Sequence, residues 1–229
     1  MPESLILRFF INALIMQLNL EDLREEYRRA SLNISEVASH PNVQFRKWFE
    51  EAQKSQIIEP NAMILSTSTR DGKPSARTVL LKGFDEKGFV FYTNYNSRKG
   101  KELATNPWGS LLFLWMPLQR QIRIEGKVVK LDPEISTKYF QSRPKGSQIG
   151  AYASPQSEVI ADRFVLEEEE KRLEEKYRDQ DQLPRPDYWG GYVVQADLFE
   201  FWQGRPNRLH DRIQYTRNGE KWIIERLAP

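Results

Sequence analysis

The sequence predicts an α+β fold that is mainly antiparallel β, a barrel with flanking helices. Three observations carry that expectation. Many short runs alternate apolar and polar residues with period two, Gly, Asp and Asn fall between them at hairpin spacing, and the runs with helical spacing stand apart from the strands. Closing so many antiparallel strands removes exposed edges, which favours a barrel over an open sheet. The 229 residues suffice for one core and contain no repeat or low-complexity linker. Residues 20–229 are therefore read as a single domain behind an N-terminal extension, residues 1–19.

The opening "MPESLILRFFINALIMQLNL" is apolar, but Arg8 and Asn12 interrupt it and Glu3 stands where a basic leader would be. No small-residue cleavage site follows, so a short apolar helix, or an extension upstream of a start at Met16, is expected instead of a signal peptide or anchor. "NLEDLREEYRRA" reads as a polar helix. A second helix follows at "NVQFRKWFEEAQKSQI", with Val43, Trp48, Phe49 and Ala52 as its apolar stripe. Strands come next: "AMILSTST", the Asp71-Gly72 turn, "SARTVLLKGF", the turn "DEKG" and "GFVFYTN". A short helix from about Ser97 ends near Asn106-Pro107. "GSLLFLWM" and "RQIRIEGKVVKL" are two more strands, the second with Gln121, Arg123 and Glu125 on its polar face. Pro133 opens a helix through "PEISTKYFQSR". The acidic stretch from Ser157 to Arg178 has Val159, Leu166, Leu173 and Tyr177 at helical spacing, its glutamates forming a solvated face. The tail returns to strands at "GGYVVQADLFEFW", "LHDRIQY" and "KWIIERL", with Asn218-Gly219 as the last turn.

Composition narrows the function. A formal charge of +2 is too small to imply a nucleic-acid partner. The absence of cysteine rules out disulfides, a thiolate nucleophile and a sulfur-ligated zinc, and fits a reducing cytosol. Two distant histidines argue against a metal cluster, and His40 reads as a lone loop residue. There is no G-x-S-x-G, no P-loop and no G-x-G-x-x-G.

What remains is a set of cation and hydroxyl clusters. In "YTNYNSRKGKEL" a strand delivers Tyr92 and Thr93, and Ser97, Arg98 and Lys99 fall at a helix start, where free N–H groups favour an anion. In "RTVLLK", Arg77 and Lys82 are an odd number of residues apart, so a regular strand sends them to opposite faces and different anions. In "KYFQSRPKGSQIG", Tyr139 and Arg143 share a helix face and Ser147 lies on the loop after Pro144. In "NRLHDRIQY", an extended chain points Arg208, His210 and Arg212 one way, with Trp202 nearby as a flat surface. Each segment alone reads equally as ordinary structure. Together they suggest two phosphorylated planar ligands side by side.

"FEFWQGRPNRLHDR", "RTVLLK", "FYTNYNSRKG", "YFQSRPKGSQIG" and the ending "RLAP" closely resemble the pyridoxine/pyridoxamine 5'-phosphate oxidase family, flavin enzymes that make pyridoxal 5'-phosphate. The likeness runs from about Leu20 to Pro229. It implies a cytoplasmic split β-barrel homodimer, with FMN at the subunit interface. It also implies oxidation of C4' of pyridoxine or pyridoxamine 5'-phosphate, with electrons passing to flavin and then to dioxygen, giving hydrogen peroxide, and ammonia from the amine. By motif, Arg77, Thr78, Val79, Leu80, Leu81, Lys82, Tyr92, Thr93, Arg98, Lys99, Gln121, Gln156, Ser157, Trp202 and Arg212 resemble FMN contacts. Lys82, Tyr139, Arg143 and Ser147 resemble a substrate-phosphate clamp, Arg208 and His210 would hold the substrate ring, and Arg24 and Tyr27 match a covering N-terminal segment. Arg212 would act as a fixed cation beside the reduced flavin. Residues 1–15 match nothing in the family pattern, and the loop Arg205 to Asn207 looks variable. Two other readings stand beside this one: a split-barrel flavin oxidoreductase with another substrate, and a non-catalytic pyridoxal phosphate-binding protein.

Overall fold

A computed structural model describes residues 26–229. The N-terminal extension, the start at Met16 and Arg24 lie outside the described residues. The protein is mostly one antiparallel sheet curled into a half-barrel, with five helices around it.

Helix α1 (Pro41–Lys54) begins with Pro at its first position, where a missing N–H costs nothing. It buries Phe45, Trp48 and Ala52. Trp48, Phe49 and Ala52 pack on the core as expected, but Val43 is 58% exposed and Phe45 takes its place. His40 is not alone: it caps this helix, and the Trp222 indole N–H donates to its Nε2 at 3.2 Å. Residues 26–30 are not helical, against the expectation for "NLEDLREEYRRA".

Strands β1 (Ala62–Ser68), β2 (Pro74–Leu80), β3 (Gly83–Asp85) and β4 (Gly88–Asn94) follow in chain order but do not form the expected meander. β1 pairs with β2 and β3 with β4, while Leu81 and Lys82 break "SARTVLLKGF" into β2 and β3, which lie at opposite ends of the sheet order. Helix α2 (Arg98–Thr105) follows, then β5 (Trp108–Trp115) and β6 (Arg120–Lys130). Three helices come next, α3 (Pro133–Ser142), α4 (Lys145–Ala153) and α5 (Phe164–Lys176). Helix α5 starts later than expected, and Val159 lies before it in full solvent. Strands β7 (Trp189–Gln203), β8 (Asp211–Asn218) and β9 (Lys221–Leu227) complete the sheet, with Gly219-Glu220 as the final two-residue turn.

The sheet order is β2-β1-β5-β6-β7-β4-β3, with β8 and β9 attached through β7. β7 is the spine. One edge pairs with β6 along its length, while the other pairs with β4 over Trp189–Val194 and with β8 over Leu198–Gln203. Glu125 faces Leu198 and Gly126 faces Ala196, so Asp197 is an extra residue, a bulge that bends the strand between its two partners. A Cβ on Gly126 would lie 2.1 Å from the Gln195 carbonyl, so only glycine fits there.

The main core packs α1 on the sheet through Phe45, Phe89, Phe113, Trp115, Phe199 and Phe201. A second cluster, Phe140, Ile149, Leu173, Tyr177, Leu183 and Trp189, joins α3, α4 and α5 to the start of β7. The cavity described below opens beside that junction.

Candidate functional site

A cavity of about 990 Å³ lies between β2, the end of β4, α2, α3 and α4. Its wall contains Arg77, Thr78, Val79, Leu80, Lys82, Tyr92, Thr93, Arg98, Lys99, Tyr139, Arg143, Ser147, Gln156 and Ser157, which gathers three separate sequence clusters. Among the described residues five cations line it and no carboxylate does. Leu81 is the exception within "RTVLLK": its side chain turns into the main core. Arg77 and Lys82 were expected on opposite faces. β2 ends at Leu80, so strand parity no longer governs Lys82, and both reach the same cavity.

Ser97 caps α2, its hydroxyl accepting from the Gly100 N–H at 3.4 Å. This fixes Lys99 inside the fold. The Lys99 ammonium donates to Thr93 Oγ1 at 3.0 Å, Ser97 Oγ at 3.2 Å and Gln156 Oε1 at 3.1 Å, all neutral acceptors. Burial, with the Arg77 charge adding to it, pulls the Lys99 pKa down to about 8. Beneath the cations sits buried Glu102, which accepts from Ser75 Oγ at 2.6 Å, Thr67 Oγ1 and Arg98 Nε at 2.9 Å, with Arg77 Nη2 at 3.5 Å. Burial alone would raise its pKa. The hydrogen bonds from Ser75, Thr67 and Arg98, with the Arg77 charge, outweigh that and hold it at about 2.

On the opposite wall Tyr139 stacks on Tyr92 at 3.8 Å, and Tyr92 stacks on Trp189 at 5.5 Å. Arg143 follows α3 in an extended conformation, its guanidinium 4.7 Å over Trp189. Its Nη1 is buried without a hydrogen-bond partner, and burial lowers the pKa of the group. A buried unpaired donor is costly, which marks a place for an anion. Ser147 lies in the first turn of α4 and not on a loop, because Pro144 begins that helix.

The remaining expected residues do not line this cavity. Gln121, Trp202 and Arg212 are register neighbours at the far end of β7, thirteen residues along the strand from Trp189. The His210 ring lies 4.6 Å from Trp202, and Tyr27 packs 5.8 Å from each of them. Gly204 permits this, since a Cβ there would lie 2.7 Å from the Tyr27 ring. Arg208, His210 and Arg212 do not share a strand face. Pro206–Arg208 is a 3-10 turn in which Asn207 and Arg208 have φ of 56° and 62°, and β8 begins only at Asp211. Arg212 is also not a bare cation. Glu200, 3% exposed, takes its Nε at 2.8 Å and Nη2 at 3.1 Å, and takes Arg123 at 2.7 Å as well. The backbone N–H of Arg205 donates to His210 Nδ1 at 3.1 Å, which leaves the ring proton on Nε2. Burial and the Arg208 charge lower the His210 pKa.

Residues 49–177 match the family described as pyridoxamine 5'-phosphate oxidase, and residues 189–229 match the pyridoxine 5'-phosphate oxidase C-terminal dimerisation region. The chain belongs to the pyridoxamine 5'-phosphate oxidase family. It is 56% identical to the pyridoxine/pyridoxamine 5'-phosphate oxidase of Salinibacter ruber, over 92% of this chain and 99% of that protein. For the Acaryochloris marina enzyme of the same name the identity is 54%, over 93% and 97%. Among solved structures, PhzG from Burkholderia lata 383, in complex with tetrahydrophenazine-1-carboxylic acid, superposes with TM-score 0.81 at 31% identity, over 88% of this chain and 100% of that one. An FMN-binding protein of Nostoc punctiforme shares the split-barrel fold at TM-score 0.64 and 18% identity, over 81% and 97%.

Two members of this oxidase's charge network escaped the sequence reading, Glu102 and Glu200. For Glu102 a signal exists, the i,i+4 spacing from Arg98. Glu200 reaches Arg123 and Arg212 across strands, so only the register of β6, β7 and β8 reveals it.

Proposed function

We propose that this family member oxidises pyridoxine or pyridoxamine 5'-phosphate to pyridoxal 5'-phosphate as a cytoplasmic homodimer with FMN. The observation that carries the reading is the cavity wall, where the described residues supply five cations and no carboxylate, and give a buried lysine and a buried arginine nitrogen no anionic partner. Two phosphate esters would supply those anions. Arg77, Arg98 and Lys99 would hold the cofactor phosphate. Lys82, Tyr139, Arg143 and Ser147 would hold that of the substrate.

FMN, when bound, would take a hydride from C4' and pass the electrons to dioxygen, giving hydrogen peroxide, with ammonia released from the amine. The chain's own residues prepare that step. Trp202 and His210 stand at the far end of β7 from the cavity, within the region matched as a dimerisation element, so a second copy would bring its own far end to this cavity. His210, kept neutral by burial and Arg208, would donate from Nε2 to the substrate ring, and exposed Arg208 would close over it. Arg212, neutralised by Glu200, would contribute fixed N–H groups instead of net charge. Holding the ring in one orientation then accounts for much of the rate.

Anaerobic addition of each B6 phosphate to the flavin-loaded protein tests this. The yellow colour should bleach and return with air, releasing peroxide; no bleaching with either ester overturns the reading. PhzG favours a second reading, oxidation of a reduced aromatic acid, and bleaching by such an acid alone would select it.

A further inference from the structure

The cavity wall is cationic, yet two of its arginines share one carboxylate that is not part of the wall. We propose that Glu102 is a positioning residue for the anion cradle, acting through Arg77 and Arg98. The inference rests on the cavity being the FMN phosphate site.

Glu102 is 5% exposed and sits on α2 one turn after Arg98. Its Oε1 takes the Arg98 Nε at 2.9 Å, while Oε2 takes Ser75 at 2.6 Å, Thr67, and the edge of Arg77. Arg77 is held from the same side by the Leu65 carbonyl at 3.1 Å and by Thr67 Oγ1. The carboxylate thus joins β1, β2 and α2 at one point. Arg77 spends Nη1 on Leu65 and Thr67 and Nη2 on Ser75 and Glu102, which fixes its charge in place with only Nε–H left. Arg98, held through Nε, keeps both Nη groups for the cavity without a search among rotamers. Lys99 is left outside this arrangement, with neutral partners only. A negative charge behind a phosphate site should weaken anion binding if it acted only as charge. Its retention beneath two cradle arginines points to orientation as its contribution.

The two roles differ in sign. In Glu102→Gln the counter-charge is gone, and the single amide oxygen can serve either Arg98 or the group of Thr67, Ser75 and Arg77, turning a donor toward the other side. If Glu102 orients the arginines, FMN affinity, read by quenching of flavin fluorescence, falls about tenfold or more despite the added positive charge. Thr67→Val removes one hydrogen bond each from Glu102 and Arg77 and should show a smaller loss of the same sign. Thermal unfolding of both apo variants identifies the folded fraction, to which the affinities are referred. Unchanged or tighter FMN binding by folded Glu102→Gln overturns the proposal; if that variant does not fold, unchanged binding by Thr67→Val does so. Failure of the parent to bind FMN would instead defeat the cofactor assignment itself, and the two failures are told apart by that control.

Discussion

The two ends of β7 solve the burial of charge in different ways. At each end a buried glutamate bridges two arginines, Glu102 with Arg77 and Arg98 near Trp189, Glu200 with Arg123 and Arg212 near Trp202. At the Trp202 end that pairing is nearly complete: Arg123 also meets Glu125 at 2.8 Å, and Asp211 meets Arg226 at 2.7 Å. At the Trp189 end positive charge is left over, on Lys99 and Arg143. Under the proposed function the surplus would meet the phosphate anions, while the balanced end would hold the substrate ring in place. Burying a cation with neutral partners costs stability, so the first end is built for ligand and the second for geometry.

The sharpest break of this comparison is a mixing experiment. Lys99→Met and Arg208→Ala, one at each end, should each be nearly inactive alone. If the two ends meet across a dimer, unfolding and refolding them together should restore about a quarter of the parent turnover, because about half the dimers are hybrids with one intact site. Activity that stays at zero would show both ends serving a site within one chain.

Lys99→Met should next lower FMN affinity about a hundredfold, in line with the loss of a charge-assisted contact to phosphate, as read by fluorescence titration. The apo variant should at the same time unfold at a higher temperature than the parent, since a buried cation is gone. A variant that loses both affinity and stability would make Lys99 a structural residue.

Glu200→Gln tests the other end. Stripped of its charge, it leaves Arg212 without a counter-ion and Arg123 with Glu125 alone, and stability should fall by about 2 kcal/mol in urea titration. The FMN affinity of the folded protein should change less than in Lys99→Met. A larger change would move Arg212 from an orienting group to a principal cofactor anchor.

The smallest effect is one of pH. Lysines in the unfolded chain keep their protons to about 10.5 and folded Lys99 only to about 8, so between these values the unfolded state binds more protons and apo stability should rise with pH. Below pH 8 the full cost of burial is present. Above pH 10 the buried tyrosines Tyr92 and Tyr95, whose pKa values are raised by burial, act in the opposite direction. The rise between pH 8 and 10 should vanish in Lys99→Met.

Much of the fold was legible because turn residues and period-two alternation mark the strands locally, apart from β3, which was read as the end of β2. In α1 only Val43 was taken in place of Phe45, because both are apolar and only packing against Phe84, Phe89 and Phe113 decides between them. At the site, the cavity residues could be read as motifs, since each short segment carries its own cation and hydroxyl. The geometry of "RLHDR" could not. Asn207 and Arg208 adopt left-handed backbone, which no alternation pattern signals, and the pairing of Arg212 with Glu200 depends on a register set by three strands. The sequence also does not display that its phosphate motifs and its ring-holding motif sit at opposite ends of one strand.

That strand has a consequence for how the oxidase would work as a pair. Trp189 walls one reaction chamber, and Trp202, on the same continuous backbone, would face into its twin. The two chambers would then be joined by a single bent rod. The extra residue at Asp197 is the joint in that rod: without it Ala196 would still face Gly126 and Leu198 still face Glu125, and what would go is the bend that aims the two ends.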